Sequence, residues 1–385
     1  MTDRPQSPEV LRATAELLWQ ACHVHPEPAA VRAAISRGAD VGFAGPFAVQ
    51  QRIGPLLWRA LEVAGELDQL GGARQSLREI VDVRLMEAVL LLPRAVSMAL
   101  GPLVEAGLEP VVLKGPAVAA RYPAPGLRPM EDIDLLLPRA QHARALELLG
   151  AGGWQVLRPS RRDRYDTVLG HREVPTLTLE LHYGVEASYE RATSLDADAL
   201  WERRVPIDCL GTPAFGLPLA EELVYLSVHA GKPYHGFGRL VWIADVAMVV
   251  GHCHESGSDV DWQRVRQVAK KRRCTTVVAA ALGLAEHAGV EVPPGMFALT
   301  ERGWRAAALG RLLDPVWPLR AEELPKFHLR YALIDGWWRR ARLLAGSGHG
   351  MPPTRRVRWS VGAPGDALAR WWELHRRHDR GLDAA

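Results

Sequence analysis

Two aspartates one residue apart open an apolar run in the segment GLRPMEDIDLLLPRA, residues 126–140. In a β-strand, residues i and i+2 project from the same face, so Asp132 and Asp134 are predicted to point the same way. The apolar residues that alternate with them would then fill the opposite, buried face. Two convergent carboxylates repel each other unless a cation lies between them, and oxygen ligands suit Mg²⁺. The spacing indicates either a metal site or a solvated strand end.

The same aspartate spacing occurs twice more, in contexts that predict a different role. Asp196 and Asp198 lie in LDADALW, and Asp259 and Asp261 lie in GSDVDWQRV. Both segments are typical of helix starts, where a carboxylate caps backbone N–H groups and interacts favourably with the helix dipole. Only the pair in GLRPMEDIDLLLPRA opens a β-type run. Its position therefore distinguishes this pair from the other two.

A second β-type run, TLTLELHY (176–183), has one wholly polar face. That face ends in Glu180 beside His182, whereas leucines alternate on the other face. If this strand lies next to the strand of the paired aspartates, Glu180 adds a third carboxylate to the same metal cluster. An ordinary half-exposed strand would show the same alternation without any function. The pattern favours the metal cluster over that alternative.

The segment VVLKGPAVAARY predicts a strand that ends in glycine and leads directly into a short helix. The strand would end at Lys114 and Gly115, and Pro116 fits the first position of a helix. Such a junction offers backbone N–H groups and the positive end of a helix to a phosphate. Lys114 could instead be a surface lysine. Arg128, a little further along, is a candidate to balance phosphate charge, or is merely solvated.

Three regions of different pattern surround these motifs. Apolar residues recur at three- and four-residue spacing through residues 1–107 and again through 219–385, which predicts helices. Between them, residues 108–218 alternate short β-rich runs with helical segments and glycine or proline stops. The stretch 204–218 could add short edge strands. The fold class predicted is an α/β (α+β) core with a small mixed sheet, flanked by N- and C-terminal helical regions.

Polar residues in the second helical region have more than one interpretation. Asp245 lies in the apolar run VWIADVAMVV, where an unpaired carboxylate would be costly. It could form a buried ion pair with Arg239, make a hydrogen bond between helices, or contact substrate. His229 is more typical of a core histidine than of a base. The Arg- and Trp-rich stretches at 355–360 and 369–380 favour helix packing over contact with nucleic acid.

Taken together, these motifs resemble the nucleotidyltransferase fold shared with DNA polymerase beta and the aminoglycoside nucleotidyltransferases. More closely, LKGPAVAARYPAPGLRPMEDIDLLL, ELHYGV and LSVHAGKPYHGFGRLVWIADVAMVV resemble a bacterial family known only as uncharacterised nucleotidyltransferases. The resemblance covers about residues 100–250. It departs from the wider superfamily in two respects. Pro116 follows Gly115 where glycine or serine is usual there, and Asp132 lies 17 positions after Gly115, further than is usual there.

The resemblance implies a magnesium-dependent enzyme that transfers a nucleoside monophosphate from a nucleoside triphosphate to a hydroxyl group, with release of pyrophosphate. The implied catalytic and metal-binding residues are Asp132, Asp134 and Glu180. They would hold two Mg²⁺ ions, and Glu180 could alternatively act as a general base. The acceptor is unidentified and could be a sugar, an antibiotic, a peptide or a protein side chain.

The resemblance also implies which residues bind the nucleotide: Lys114, Gly115, Arg128 and His182. His182 could orient the acceptor, or it could bond to a metal-binding carboxylate. The helical region after residue 219 would form the acceptor pocket. A rival interpretation is a catalytically silent relative that binds or regulates through the same fold. The intact set of three carboxylates argues against that rival.

Composition narrows the partners and the compartment. A formal net charge of +3 on 385 residues does not call for nucleic acid or an anionic membrane as partner. Four scattered cysteines and a polar first segment without a secretory leader predict reduced thiols and a cytoplasmic location. No uninterrupted apolar run approaches the ~18 residues that span a bilayer, so no membrane association is expected.

Overall fold

The computed structural model describes most of the chain up to residue 335. The described residues are 7–160, 165–184, 196–232, 235–297, 299, 304–321, 329 and 332–335. Residues 1–335 form one compact unit. The Arg- and Trp-rich stretches at 355–360 and 369–380 lie outside the described residues. All four cysteines are buried and unpaired, as the sequence predicts.

The chain begins with helices, as the three- and four-residue apolar spacing predicts. They are α1 (Pro8–Ala21), α2 (Pro28–Ser36), α3 (Val41–Gln50) and α4 (Gly54–Ala64). A proline stands in the first turn of three of them, where its missing N–H costs no hydrogen bond. The predicted helical character of this region is confirmed.

A longer helical run, Leu67–Glu105, follows. It comprises a 3₁₀-helix (Leu67–Ala73), α5 (Arg74–Met86), a π-helical turn (Glu87–Leu91) and α6 (Leu92–Glu105). By length and composition alone this run could cross a membrane, and 33% of its most apolar window is buried. The sequence expectation considered only uninterrupted apolar residues and therefore did not single out this run. Core helices pass the same test, and α6 packs against the sheet, so the run is weak evidence for a membrane role.

Seven strands form one mixed sheet in the order β3-β4-β5-β2-β1-β7-β6. Their bounds are β1 (Val111–Val112), β2 (Asp132–Leu136), β3 (Gln155–Arg158), β4 (Asp166–Gly170), β5 (Thr178–His182), β6 (Val205–Cys209) and β7 (Thr212–Gly216). The pairs β2–β5 and β1–β7 are parallel, and the other neighbours are antiparallel. The predicted α+β class with a mixed sheet is therefore confirmed.

The structure adds detail to the sheet at two places. The basic stretch after β3 contains β4, which pairs antiparallel with both β3 and β5. The stretch 204–218, predicted to add edge strands, forms the hairpin of β6 and β7. Of these two strands, β6 is an edge strand and β7 is not, because β7 also pairs with β1. Because β1 has only two residues, its sequence pattern is too short to show that β7 pairs with it.

Some helices connect the strands, and others follow the sheet. The connecting helices are α7 (Pro116–Ala119), α8 (Arg139–Ala151) and α9 (Ala197–Trp201). Those after the sheet are α10 (Leu219–Ala230), α11 (Leu240–Glu255), α12 (Trp262–Lys271), α13 (Thr275–Glu286), α14 (Trp304–Leu312) and α15 (Trp317–Arg320). Asp196 caps α9 and Asp261 caps α12 through their side chains, as their sequence context predicts.

The sheet separates two hydrophobic cores. On one face, Ile133, Leu135 and Leu137 pack with residues of α6 and α8. On the other face, Leu136 joins a larger core that contains side chains from α1–α4 and from α10–α15. Asp132 and Asp134 share the face of Leu136, because alternate strand residues point the same way. The helices from both ends of the chain therefore enclose the face that carries the paired aspartates.

Candidate functional site

The predicted strand neighbours are confirmed by the register of β2 and β5. In this parallel pair Asp134 lies directly opposite Glu180, and Asp132 lies opposite Thr178. Leu179 and Leu181 are fully buried on the far face, which leaves Glu180 and His182 on the face of the aspartates. The polar residues of β2 and β5 project from the same face of the sheet, and this brings three carboxylates and an imidazole together.

Lys114 follows β1 and lies against the paired aspartates. Its Nζ is 2.7 Å from Oδ2 of Asp134 and 3.4 Å from Oδ2 of Asp132. Burial alone would lower the pKa of Lys114, but the carboxylates of Asp134 and Asp132 outweigh burial and raise the pKa above its usual range. Lys114 is therefore a buried cation of the site, and not the surface lysine that the sequence also allowed.

Gly115 makes the turn that brings Lys114 to this place. Its φ of +63° lies in the left-handed region, and a Cβ atom there would come within 3.1 Å of the carbonyl oxygen of Asp132. Glycine is favoured on both counts. α7 begins at Pro116, as predicted, and has only four residues. Gly115 is not one of the described residues that line the pocket of the site.

His182 bridges two of the carboxylates. Its Nε2 lies 3.0 Å from Oδ1 of Asp134 and 3.5 Å from Oε2 of Glu180. Burial alone would lower the pKa of His182, but its hydrogen bonds to these two carboxylates raise it to about 9. The imidazole is therefore protonated at neutral pH and donates to Asp134.

The two aspartates differ in charge environment. Burial alone would raise the pKa of Asp134, but Lys114 and His182 outweigh burial and hold it well below its usual range. The pKa of Asp132 is raised by burial and by the negative charge of Asp134, and Lys114 only partly offsets this. The side chain of Asp134 is 1% exposed, whereas that of Asp132 is 33% exposed. Asp134 is the anchored member of the pair, and Asp132 faces the pocket opening.

The site offers a donor set that fits a divalent cation. One ligand atom from each of Asp134, Glu180 and His182 lies within 4.8 Å of the other two. Oδ2 of Asp134 is buried without an aligned hydrogen-bond donor, and its close contact with Lys114 is an ion pair of unsuitable angle for a hydrogen bond. Carboxylate oxygens suit Mg²⁺, and an imidazole nitrogen among the ligands would favour Mn²⁺ or Zn²⁺. An orphaned carboxylate oxygen in such a cluster is where a cation would bind.

Arg128 lies at the pocket but binds a different carboxylate. Its Nε and Nη2 donate to the two oxygens of Asp245 at 2.7 and 2.8 Å, and the hydroxyl of Tyr122 donates to Asp245 at 2.7 Å. The proposed ion pair of Asp245 with Arg239 is therefore wrong. Burial would lower the pKa of Arg128, but Asp245 outweighs burial and raises it. This buried cluster ties α11 to the segment that precedes β2.

Most of the predicted site residues line a pocket of about 250 Å³. The predicted residues that line it are Lys114, Arg128, Asp132, Asp134, Glu180 and His182. Other lining residues were not predicted as part of the site: Arg52, Tyr225, His229, Lys232, His235, Arg239 and Trp242. Of these, His229, Lys232, His235, Arg239 and Trp242 lie in the motif LSVHAGKPYHGFGRLVWIADVAMVV, and that motif is the sequence signal that could have found them.

The match to known families follows this geometry. The family described as "Uncharacterised nucleotidyltransferase" matches residues 43–288, which is more than half of the chain. The chain belongs to this family. This nucleotidyltransferase has all of the pocket residues within the matched span. No curated protein and no solved structure matches the chain.

Proposed function

We propose that this nucleotidyltransferase moves a nucleoside monophosphate from a nucleoside triphosphate to a hydroxyl of an acceptor, releases pyrophosphate and requires a divalent cation. The observation that supports the proposal most directly is the cluster of Asp134, Glu180 and His182, whose ligand atoms lie within 4.8 Å of one another in a pocket. Asp132 borders the same cluster. Membership of a nucleotidyltransferase family supports the class of reaction.

The carboxylates of Asp132, Asp134 and Glu180 would hold the cation, with His182 as a further ligand or as the hydrogen-bond donor that orients Asp134. A bound divalent cation would neutralise phosphate charge and lower the pKa of the attacking hydroxyl. We propose Mg²⁺ because the donor set is dominated by carboxylate oxygens. Lys114 and His182 supply the positive charge that keeps the three carboxylates close together.

The reaction would be an in-line displacement at the α-phosphorus. The acceptor oxygen forms a bond to phosphorus while the bond from phosphorus to the bridging oxygen of pyrophosphate breaks. The hydroxyl proton passes to Glu180, whose side chain is 27% exposed and therefore open to the acceptor. Lys114, which faces the same pocket, would balance charge on the phosphates. We propose that Arg128 and Gly115 act by position, since Asp245 occupies two donor nitrogens of Arg128 and Gly115 shapes the turn.

One observation favours the rival, a binding protein without catalysis. Both oxygens of Asp134 already have a positive neighbour, Lys114 on Oδ2 and His182 on Oδ1. A carboxylate neutralised in this way is stable without a metal ion. The rival predicts nucleotide binding that needs no divalent cation and no chemical turnover.

A direct test is to incubate the protein with Mg²⁺ and each α-labelled nucleoside triphosphate in turn, across a panel of sugars, aminoglycosides and peptides. Release of pyrophosphate and transfer of label to an acceptor, or to the protein itself, are measured. Asp134→Asn should lower the rate by at least about 100-fold, because it removes a buried anionic ligand while keeping the side-chain size. The matched control is Asp259→Asn, an exposed aspartate of the same sequence spacing outside the pocket.

Pyrophosphate release that needs the cation and survives Asp259→Asn but not Asp134→Asn supports the proposal. Tight binding of a nucleoside triphosphate without any release of pyrophosphate supports the rival. Release that is unchanged in Asp134→Asn contradicts the assignment of the carboxylate cluster. Neither binding nor release with any of the four nucleotides contradicts the enzyme proposal as a whole.

A further inference from the structure

Two further arginines line the same pocket as the carboxylate cluster. Arg239 immediately precedes α11, and Arg52 comes from the turn between α3 and α4. Neither arginine belongs to the carboxylate cluster or to the residues predicted to bind nucleotide.

Arg239 has an aromatic support and no acidic partner among the described residues. Its guanidinium carbon lies 5.5 Å from the centre of the Trp242 ring, a cation–π contact that orients the side chain without neutralising it. Burial and the positive charge of Arg52 lower the pKa of Arg239, and the carboxylates of Glu131 and Asp132 oppose this change. Both arginines line the same pocket, and an anion bound there would stabilise the pair.

Arg52 has an energetically unfavourable backbone conformation. Its φ is +59°, in the left-handed region that residues with a Cβ atom avoid. The neighbouring residue Gln51 accepts hydrogen bonds from Leu240 N through its side chain and from Val241 N through its carbonyl group. These bonds attach the turn to the start of α11 and bring Arg52 beside Arg239. The Arg52 side chain pairs with Glu131, which is more than half exposed.

His229 adds an unpartnered polar atom to the same part of the pocket. The residue is 8% exposed and lines the pocket, and its Nδ1 is buried without a hydrogen-bond partner. Burial, together with the charges of Lys114 and other nearby cations, lowers the pKa of His229 well below its usual range. The imidazole is therefore neutral, and in one tautomer Nδ1 carries a proton that it can donate. A buried donor without an acceptor is unfavourable unless a ligand supplies the acceptor.

We propose that Arg239 and Arg52, with His229 beside them, form a subsite for phosphoryl oxygens, and that its ligand is the β,γ-phosphate tail of the nucleoside triphosphate. This inference rests on the proposed function. Guanidinium groups bind phosphate oxygens in a planar, two-pronged geometry, which a single lysine cannot provide. The subsite would leave the α-phosphate at the carboxylates, where Lys114 lies. A phosphorylated acceptor offers the same chemistry and is the alternative source.

The test measures binding by calorimetry on the full chain, with inorganic pyrophosphate and each of the four nucleoside triphosphates, and with the matching monophosphate. Arg239→Gln should weaken binding of pyrophosphate and of triphosphate by at least about tenfold, since a hydrogen bond to a charged group is lost. Binding of the monophosphate should change by less than about twofold. Arg239→Lys should weaken the binding of pyrophosphate and triphosphate less than Arg239→Gln does. Lysine keeps the positive charge but not the planar, two-pronged geometry of the guanidinium group.

The matched control is Arg266→Gln, an exposed arginine on α12 that does not line the pocket. A melting temperature equal to that of the wild type shows that Arg239→Gln folds. If Arg239→Gln loses affinity equally for monophosphate and triphosphate, or loses none, the subsite is wrong and the proposed function is unaffected. If the wild type binds no triphosphate, the proposed function fails. In that case, a pyrophosphate affinity that depends on Arg239 still supports a phosphoryl subsite and assigns it to a phosphorylated acceptor.

Discussion

Two buried aspartates of this protein, Asp134 and Asp245, have almost the same exposure and opposite environments. They are 1% and 2% exposed. Asp245 accepts three short hydrogen bonds, two from Arg128 and one from Tyr122. Asp134 accepts one from His182 and keeps Oδ2 without an aligned donor, 2.7 Å from a lysine.

The difference shows how to separate structural from functional buried charge. A carboxylate with all its strong acceptor positions satisfied and its charge matched by a bidentate arginine has no capacity left for a ligand. A carboxylate with an orphaned oxygen in a pocket retains that capacity, and the protein tolerates the cost of the orphan. Glu222 on α10 is an intermediate case, because its Oε2 has no hydrogen bond and only a long ion pair with Arg121, at 3.7 Å, and it does not line the pocket.

The largest expected effect is on stability. Asp245→Asn should lower the free energy of unfolding by about 3–5 kcal/mol, because it leaves Arg128 buried without its charge partner. Asp134→Asn should cost clearly less, since Lys114 retains Asp132 and His182 retains Glu180. Urea denaturation of both variants and the wild type measures the difference. Equal losses in the two variants would show that the comparison between these aspartates is wrong.

The next effect concerns metal binding. A divalent cation at 100 times its dissociation constant should stabilise the wild type by about 2.7 kcal/mol, which raises its melting temperature. EDTA should reverse the rise. The rise should persist in Asp245→Asn and disappear in Asp134→Asn. Thermal melts with Mg²⁺ or Mn²⁺ check this, and a rise that persists in Asp134→Asn would place the cation elsewhere.

Glu222 should produce a pH-dependent change of roughly 3 kcal/mol in the free energy of unfolding between pH 4.5 and pH 8. Burial raises the pKa of Glu222 from 4.5 to about 7; Arg121 opposes the rise and Asp245 adds to it. The folded state therefore binds the Glu222 proton more tightly than the unfolded state does. This contribution to stability is complete below pH 4.5 and is lost as pH rises through 7. Glu222→Gln should be more stable than the wild type at pH 8 and close to it at pH 4.5.

The control for that measurement is Glu221→Gln. Glu221 is equally buried but forms ion pairs with Arg203 and Arg264, so its removal should not stabilise the protein at pH 8. Denaturant titrations of the wild type and of both variants at pH 4.5 and pH 8 give the change in unfolding free energy for each variant at each pH. A gain at pH 8 in Glu221→Gln, or none in Glu222→Gln, would refute the role given to the orphaned carboxylate.

The smallest expected effect is that of Tyr122→Phe. This change removes one of the three donors to Asp245 and leaves both bonds from Arg128, so it should cost about 1 kcal/mol. Tyr165→Phe is the matched control, since the Tyr165 ring packs on Tyr183 and has no hydrogen bond through its hydroxyl among the described residues. Calorimetric unfolding measures both. A cost as large as that of Asp245→Asn would mean that Tyr122, and not Arg128, satisfies Asp245.

Local patterns predicted the parts of the site that depend on strand alternation and on turns. The two-residue period placed Asp132 and Asp134 on one face of their strand and Glu180 and His182 on one face of theirs, and both assignments are confirmed. The start of a short helix at Pro116, directly after a strand and Gly115, was also predicted and is confirmed. These features depend on residues within a few positions, and backbone geometry determines them directly.

Local patterns could not predict contacts between residues that lie far apart in the chain. The sequence suggested Arg239 for Asp245, because the two lie within one short segment. The structure assigns Arg128, 117 positions away, because the segment before β2 packs on α11. It likewise brings Arg52 from the first helical region to the start of α11 through Gln51.

By itself, the sequence determined the α+β class and which carboxylates share a strand face, because side-chain periodicity and turn chemistry are local. The family followed from the resemblance of its motifs. Only the tertiary structure decided that Lys114 is buried against Asp134, that Arg128 is engaged by Asp245, and that Arg52 joins Arg239 at the pocket. These choices depend on which distant segments share a core. Burial then makes each charge select the nearest partner that can offset the cost of leaving water.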